Sequence, residues 1–221
     1  MLAALVVLSV ACARRGTAAI RVVPPLALAQ LALAPADAGD MYKVDSERYL
    51  DDDGNTAPAP TTMFIRQLSL VGSPADDAPA EATYILVTVG DRGKDAVTEF
   101  IDAADDSAVG PPNLEAYIGQ QFPGSKDIRA ELDEDFPDVG DQSVANKVTW
   151  TQPVDGADQV WSSYAVYIQS GDLLALGALR IAGDDQAALD GLRKQAEVLA
   201  KKQADKLKAA PSVASAQATT R

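Results

Sequence analysis

The chain has 221 residues, 47% of the hydrophobic set but only 5% aromatic, so one sizeable core resting on Val, Leu, Ile and Ala is expected. Acidic residues number 32 against 19 basic, a net charge of -13. Such a surface repels nucleic-acid phosphates and anionic lipid headgroups, so no nucleic-acid partner is expected. There is no histidine and a single cysteine, Cys12. Imidazole acid–base chemistry, Ser-His and Cys-His nucleophile pairs, intramolecular disulfides, and Cys-based zinc or Fe–S sites are therefore excluded.

Leu2 to Ala13 is a short apolar run ending Leu8-Ser9-Val10-Ala11-Cys12-Ala13. It is too short to span a bilayer as a helix but fits a signal-peptide core. The segment resembles a bacterial lipoprotein signal, in which a small residue precedes the cysteine that receives lipid, and this makes Cys12 the candidate lipidation site. Ala11-Cys12-Ala13 also fits the small-x-small pattern of ordinary signal cleavage. Arg14-Arg15 is followed by a poor signal core, interrupted by Pro24 and Pro25. A short helix is expected over Leu26 to Ala34, after the prolines.

Residues 1–36 are expected to form a signal-like N-terminal segment, 37–208 a single domain, and 209–221 a disordered tail. Asp40 to Thr62, punctuated by Asp51-Asp52-Asp53-Gly54-Asn55, reads as a loop anchored by Tyr42 and Tyr49. Met63 to Val71 and Thr83 to Val89 read as strands; the continuous apolar run of the second suits a position covered on both faces. Val97, Phe100, Ile101 and Ala104 recur at helical spacing over Lys94 to Ala104. Pro111-Pro112 opens a shorter helix carrying Leu114, Tyr117 and Ile118.

Alternation then predicts strands over Asp127 to Leu132 and Ser143 to Thr151, separated by the acidic loop Asp133 to Asp138. Val160 to Gln169 and Leu173 to Ile181 form the clearest pair, with Gly171 supplying the positive φ of a tight hairpin turn. A final helix runs from about Asp185 to Lys208. Asp184 or Asp185 is its expected cap, Leu189, Leu192, Ala196 and Leu199 its buried face, and the lysines at 201, 202, 206 and 208 complement its dipole. The fold class is therefore α+β: a mainly antiparallel sheet of about six strands with helices packed on one face.

Several segments are similar to a group of exported bacterial proteins and lipoproteins, many of unknown function. These are Asp37-Ala38-Gly39 after a Leu/Ala run, the turn Val139-Gly140-Asp141-Gln142-Ser143-Val144, the hairpin Tyr167-Ile168-Gln169-Ser170-Gly171-Asp172-Leu173-Leu174, and the closing helix with Ala196, Ala200 and Lys206-Leu207. The chain also distantly resembles the extracytoplasmic sensor domain of mycobacterial Ser/Thr kinases, although it lacks the paired cysteines of those domains. The resemblance implies binding or sensing in the cell envelope rather than catalysis.

Chemical motifs add little. Gly90-Asp91-Arg92-Gly93-Lys94-Asp95 is too short for a phosphate loop and has Asp95 where a Ser or Thr should hold Mg²⁺. Neither acidic run has EF-hand spacing, and no metal or cofactor is expected. Trp150, Trp161, Tyr164 and Tyr167 are the candidate lining of a ligand groove; the alternative is that they are core or sheet-surface aromatics. The expectation is an exported, non-catalytic binding or sensor-like envelope protein, in the membrane only through a lipid anchor, with an unknown small ligand or an envelope protein as partner. Alternatives are an envelope interaction protein without a small ligand and a carboxylate-based hydrolase.

Overall fold

Seven antiparallel strands form one sheet in the order β1-β2-β3-β7-β6-β5-β4. The computed structural model describes residues 25–39, 42–50, 63–70, 81–88, 93–171, 173–184 and 186–210. The elements are α1 (Pro25–Leu31), α2 (Pro35–Ala38), β1 (Tyr42–Leu50), β2 (Met63–Leu70), β3 (Glu81–Thr88), α3 (Gly93–Asp105), α4 (Gly110–Gln121), β4 (Lys126–Leu132), β5 (Gln142–Val154), β6 (Ala157–Ser170), β7 (Leu173–Ala182) and α5 (Gln186–Lys208). The signal-like run, Cys12, the Asp51 to Asn55 acidic run, the Gly90 to Arg92 turn and the tail beyond 210 lie outside the described residues.

The α+β antiparallel expectation holds, and three details change. The first is β1, which occupies part of the segment read as a loop. It is an edge strand with Lys43, Val44, Asp45 and Glu47 exposed and a register shift between Val44 and Ser46. An edge strand with polar outward residues and a bulge carries little hydrophobic alternation, which is why its sequence resembles a loop. Tyr42 is nevertheless buried and Tyr49 packs on Phe64, so both tyrosines anchor this segment as expected.

The second change is that helices cover both faces. Along β6 every residue from Ser162 to Ser170 is buried. Its alternate side chains enter two separate cores, Tyr164, Val166 and Ile168 in one and Ala165 and Tyr167 in the other. The first core is closed by α5, through Leu192, Ala196 and Leu199, and by α1 and the residues just after it, through Leu28 and Leu33. The second is closed by α3 and α4, through Val97, Ile101, Leu114 and Ile118. An antiparallel sheet can leave one face wet, but a strand with no polar alternation cannot.

The third change concerns the domain boundary expected at 37. Leu28 and Leu33 are completely buried and Ala32 nearly so, all in the α5 core. The packed unit therefore already includes α1. Pro25 opens this helix, where its missing N–H costs nothing. The free carbonyls at the other end are met by side chains from distant elements. Arg66 of β2, itself buried, donates to the carbonyls of Ala29, Ala32 and Leu33 at 3.1, 3.2 and 2.9 Å. Gln203 donates to Leu31 O at 2.9 Å and Lys206 to Ala32 O at 3.3 Å.

The two resemblance motifs meet in space. Asp141 N donates to Gln169 O at 2.8 Å, and Gly171 N donates to the Asp141 carboxylate at 2.8 Å. Gly171 has φ +62, as its hairpin requires. Gly140 has φ +73, and a Cβ there would meet Gln169 O at 2.4 Å, so only glycine lets this turn lie against the hairpin.

Candidate functional site

The four aromatics expected to line one groove do not share a face. Trp150 and Trp161 are register partners on β5 and β6, stacked at 6.4 Å, and Tyr167 lies on the same face under α3 and α4. Tyr164 points to the opposite face, beneath α5. The odd and even positions of one strand cannot do otherwise.

On the first face the aromatics are packed as core. Phe122 stacks on Trp150 at 5.4 Å, and the Arg180 guanidinium lies over the Trp161 ring at 4.5 Å and the Phe122 ring at 5.0 Å. Cation–π contact of this kind holds the end of α4 to the sheet. Tyr167 meets Phe100 edge-on at 5.5 Å, and burial with the neighbouring Tyr117 pushes its hydroxyl up to about 12.

On the other face Tyr164 belongs to an ionic latch. Its hydroxyl donates to the Asp133 carboxylate at 3.0 Å, and Arg193 of α5 donates to the same carboxylate at 2.6 Å. Arg193 also reaches Glu197 at 2.7 Å and Asp135 O at 2.7 Å. Burial pushes the Asp133 carboxyl upward, but the hydrogen bonds from Arg193 and Tyr164 outweigh it and hold the group below its ordinary range. Burial and the adjacent carboxylate push the Tyr164 hydroxyl up. The acidic loop thus spends Asp133 on fastening α5 to the sheet. Among the described residues no group of three or more acidic or cysteine side chains is placed to hold a metal ion.

Two concavities flank α5. Between it and the sheet, Gly177, Ala196 and Ala200 leave a gap of about 20 Å³, enough for one water molecule. On the outer side a groove of about 370 Å³ runs between α2 and α5, bordered by Asp37, Gly191, Lys194, Gln195, Val198 and Lys202. That size falls within the range of small-molecule clefts. Val198 sits there 51% exposed, the most exposed of the large apolar side chains among the described residues. Lys202 donates to Asp37 O at 2.5 Å, and Lys206 pairs with the Asp37 carboxylate at 2.5 Å. Burial pushes Asp37 upward, but Lys206 and the Ala34 N–H outweigh it and keep the carboxyl below its ordinary range. This groove was not found from sequence. Its signal was present, an apolar residue set between lysines at four-residue spacing, Lys194-Val198-Lys202, off the buried face of α5.

Among the described residues no helix is long and apolar enough to cross a membrane. No protein-family model matches the chain, and no curated protein matches it. Among solved structures it is weakly similar to LpqN, involved in cell envelope biogenesis of Mycobacterium tuberculosis, at 17% identity and a TM-score of 0.29, over 73% of this chain and 76% of that one. It is also weakly similar to PA94, a protein of unknown function from Pseudomonas aeruginosa, at 16% identity and a TM-score of 0.26, over 66% of this chain and 85% of that one.

Proposed function

We propose that this chain is an exported, non-catalytic binding or sensor-like protein of the cell envelope, tethered through lipid on Cys12, whose partner enters the groove between α2 and α5. The observation that carries the binding reading is the composition of that groove. Its borders offer the Lys194 ammonium and an exposed apolar side chain, with the Lys202 ammonium already donating to the Asp37 carbonyl. Its one carboxylate, Asp37, is held charged by Lys206 and has its proton drawn off well below neutral pH. Such a set can attract and orient a partner, but it contains no activated nucleophile and no base poised near neutrality. Export rests on the Leu2 to Ala13 run and the small residue before Cys12.

Intact mass and cell fractionation of the full chain and its Cys12→Ala variant, in a bacterium with a lipoprotein pathway, test the placement. A lipid-sized mass increase on the wild type alone, with membrane association, is the expected result. An unprocessed cytosolic protein in both cases would sink the envelope reading.

A further inference from the structure

Lys194 is exposed and makes no ion pair among the described residues, whereas the neighbouring cations of the groove are engaged: Lys202 with the Asp37 carbonyl and Lys206 with the Asp37 carboxylate. Arg193, one residue earlier on α5, is turned to Asp133 and Glu197. Asp190, one turn before Lys194, accepts from Gln186 at 2.7 Å. A free ammonium on a chain of net charge -13 is therefore a local feature rather than part of a basic face. One turn further along the same stripe, about 6 Å away, Val198 exposes its methyl groups on the groove side. Gly191 borders the groove beside Lys194, and α2 walls the far side through Asp37 and Ala38.

We infer that the groove binds a small amphipathic anion, with its charged head at Lys194 and its apolar body lying along α5 over Val198. The head goes to the Lys194 end because the Lys202 ammonium is already donating to the Asp37 carbonyl and Lys206 is paired with the Asp37 carboxylate. Val198 supplies the apolar contact, since its exposed methyl groups would be covered by the ligand's body. Carboxylate and phosphate-ester heads share this chemistry, and a lysine accepts either as a point charge. The inference rests on the groove being the binding site and names the class of ligand it takes.

The test is titration of the isotopically labelled full chain with octanoate and with octyl phosphate, followed through the amide resonances of α2 and α5. Octanol controls for the head, and acetate and inorganic phosphate control for the body. Saturable shifts confined to the groove are expected with both octyl anions, with affinity at least tenfold above octanol or the short anions. Lys194→Glu and Val198→Asp, both on exposed positions, should each lower that affinity at least tenfold while leaving the rest of the spectrum in place. Equal binding of octanol, or binding indifferent to Lys194→Glu, would overturn the anion assignment yet leave a binding groove standing. No saturable shift at α2 or α5 with any probe would overturn both. Shifts by inorganic phosphate equal to those by octyl phosphate would reduce the site to a surface charge.

Discussion

Arg66 offers the sharpest test of how the N-terminal segment is held. Its guanidinium meets three carbonyls at the end of α1 and the Glu47 carboxylate at 2.6 Å. A hydrogen bond from a charged donor contributes about 1.5–3 kcal/mol, and the bonds of one group are not additive. Glu47 is half-exposed and regains water when Arg66 is lost. Arg66→Ala should therefore cost about 3 kcal/mol, set mainly by the Ala29 and Leu33 carbonyls, since Ala32 O keeps its bond from Lys206. The loss should fall on α1 and the residues just after it first, because among the described residues the fully buried large side chains there are Leu28 and Leu33, worth about 2 kcal/mol each. Hydrogen exchange read by peptide mass is the assay. Amides of residues 28–39 should exchange about 100-fold faster in the variant, the factor that corresponds to 3 kcal/mol, while β5 and β6 keep more of their protection. Unchanged exchange in 28–39, or an equal loss across the whole sheet, would refute the idea that Arg66 is a local clamp.

Leu192 is fully buried between α5 and the sheet, and Leu192→Ala should lower unfolding stability by about 3 kcal/mol in a denaturant titration. Gly140→Ala meets both a positive φ and the Gln169 carbonyl, and should cost about 2 kcal/mol in the same measurement. Asp133→Asn removes the charge of the α5 latch. The wild-type carboxyl titrates below its ordinary 3.8 when folded, so its contribution is present above that value and is lost as pH falls through the depressed one. The variant should be about 2 kcal/mol less stable at neutral pH and show a flatter acid limb; an unchanged acid limb would count against the latch.

The strands with strong alternation were legible because each has one pattern for each face. Residues 126–132, 142–154 and 173–182 fall within two or three residues of their sequence-based bounds. The α5 face was legible for the same reason, and Leu189, Leu192, Ala196 and Leu199 are all buried. The second helical layer was not. The continuous run Tyr164 to Ile168 already lacks an outward polar partner, but the more uniformly apolar run at 83–89 draws the two-sided expectation to itself. The aromatics misled because a residue type favoured at binding sites is equally favoured in packed sheets: Trp150 is 1% exposed. A linear pattern gives the lysines of α5 only as complements to the helix dipole, and nothing in it shows that Lys202 and Lys206 turn back onto the 32–37 segment.

The strand order has a kinetic consequence. Five of the six strand pairings join neighbours in sequence, and only β3 with β7 does not, joining Glu81 to Arg180 at one end and Thr88 to Leu173 at the other. Residues 42–88 and 126–182 are each a meander whose strands pair with their sequence neighbours, whereas this seam must wait for a long loop carrying α3 and α4 to close. The docking of α1 on α5 ties the same two halves a second time. The sheet is therefore expected to assemble as two pieces and finish at its centre. Fragments divided within residues 106–109, between α3 and α4, are the pair from which a folded molecule should be recovered by mixing.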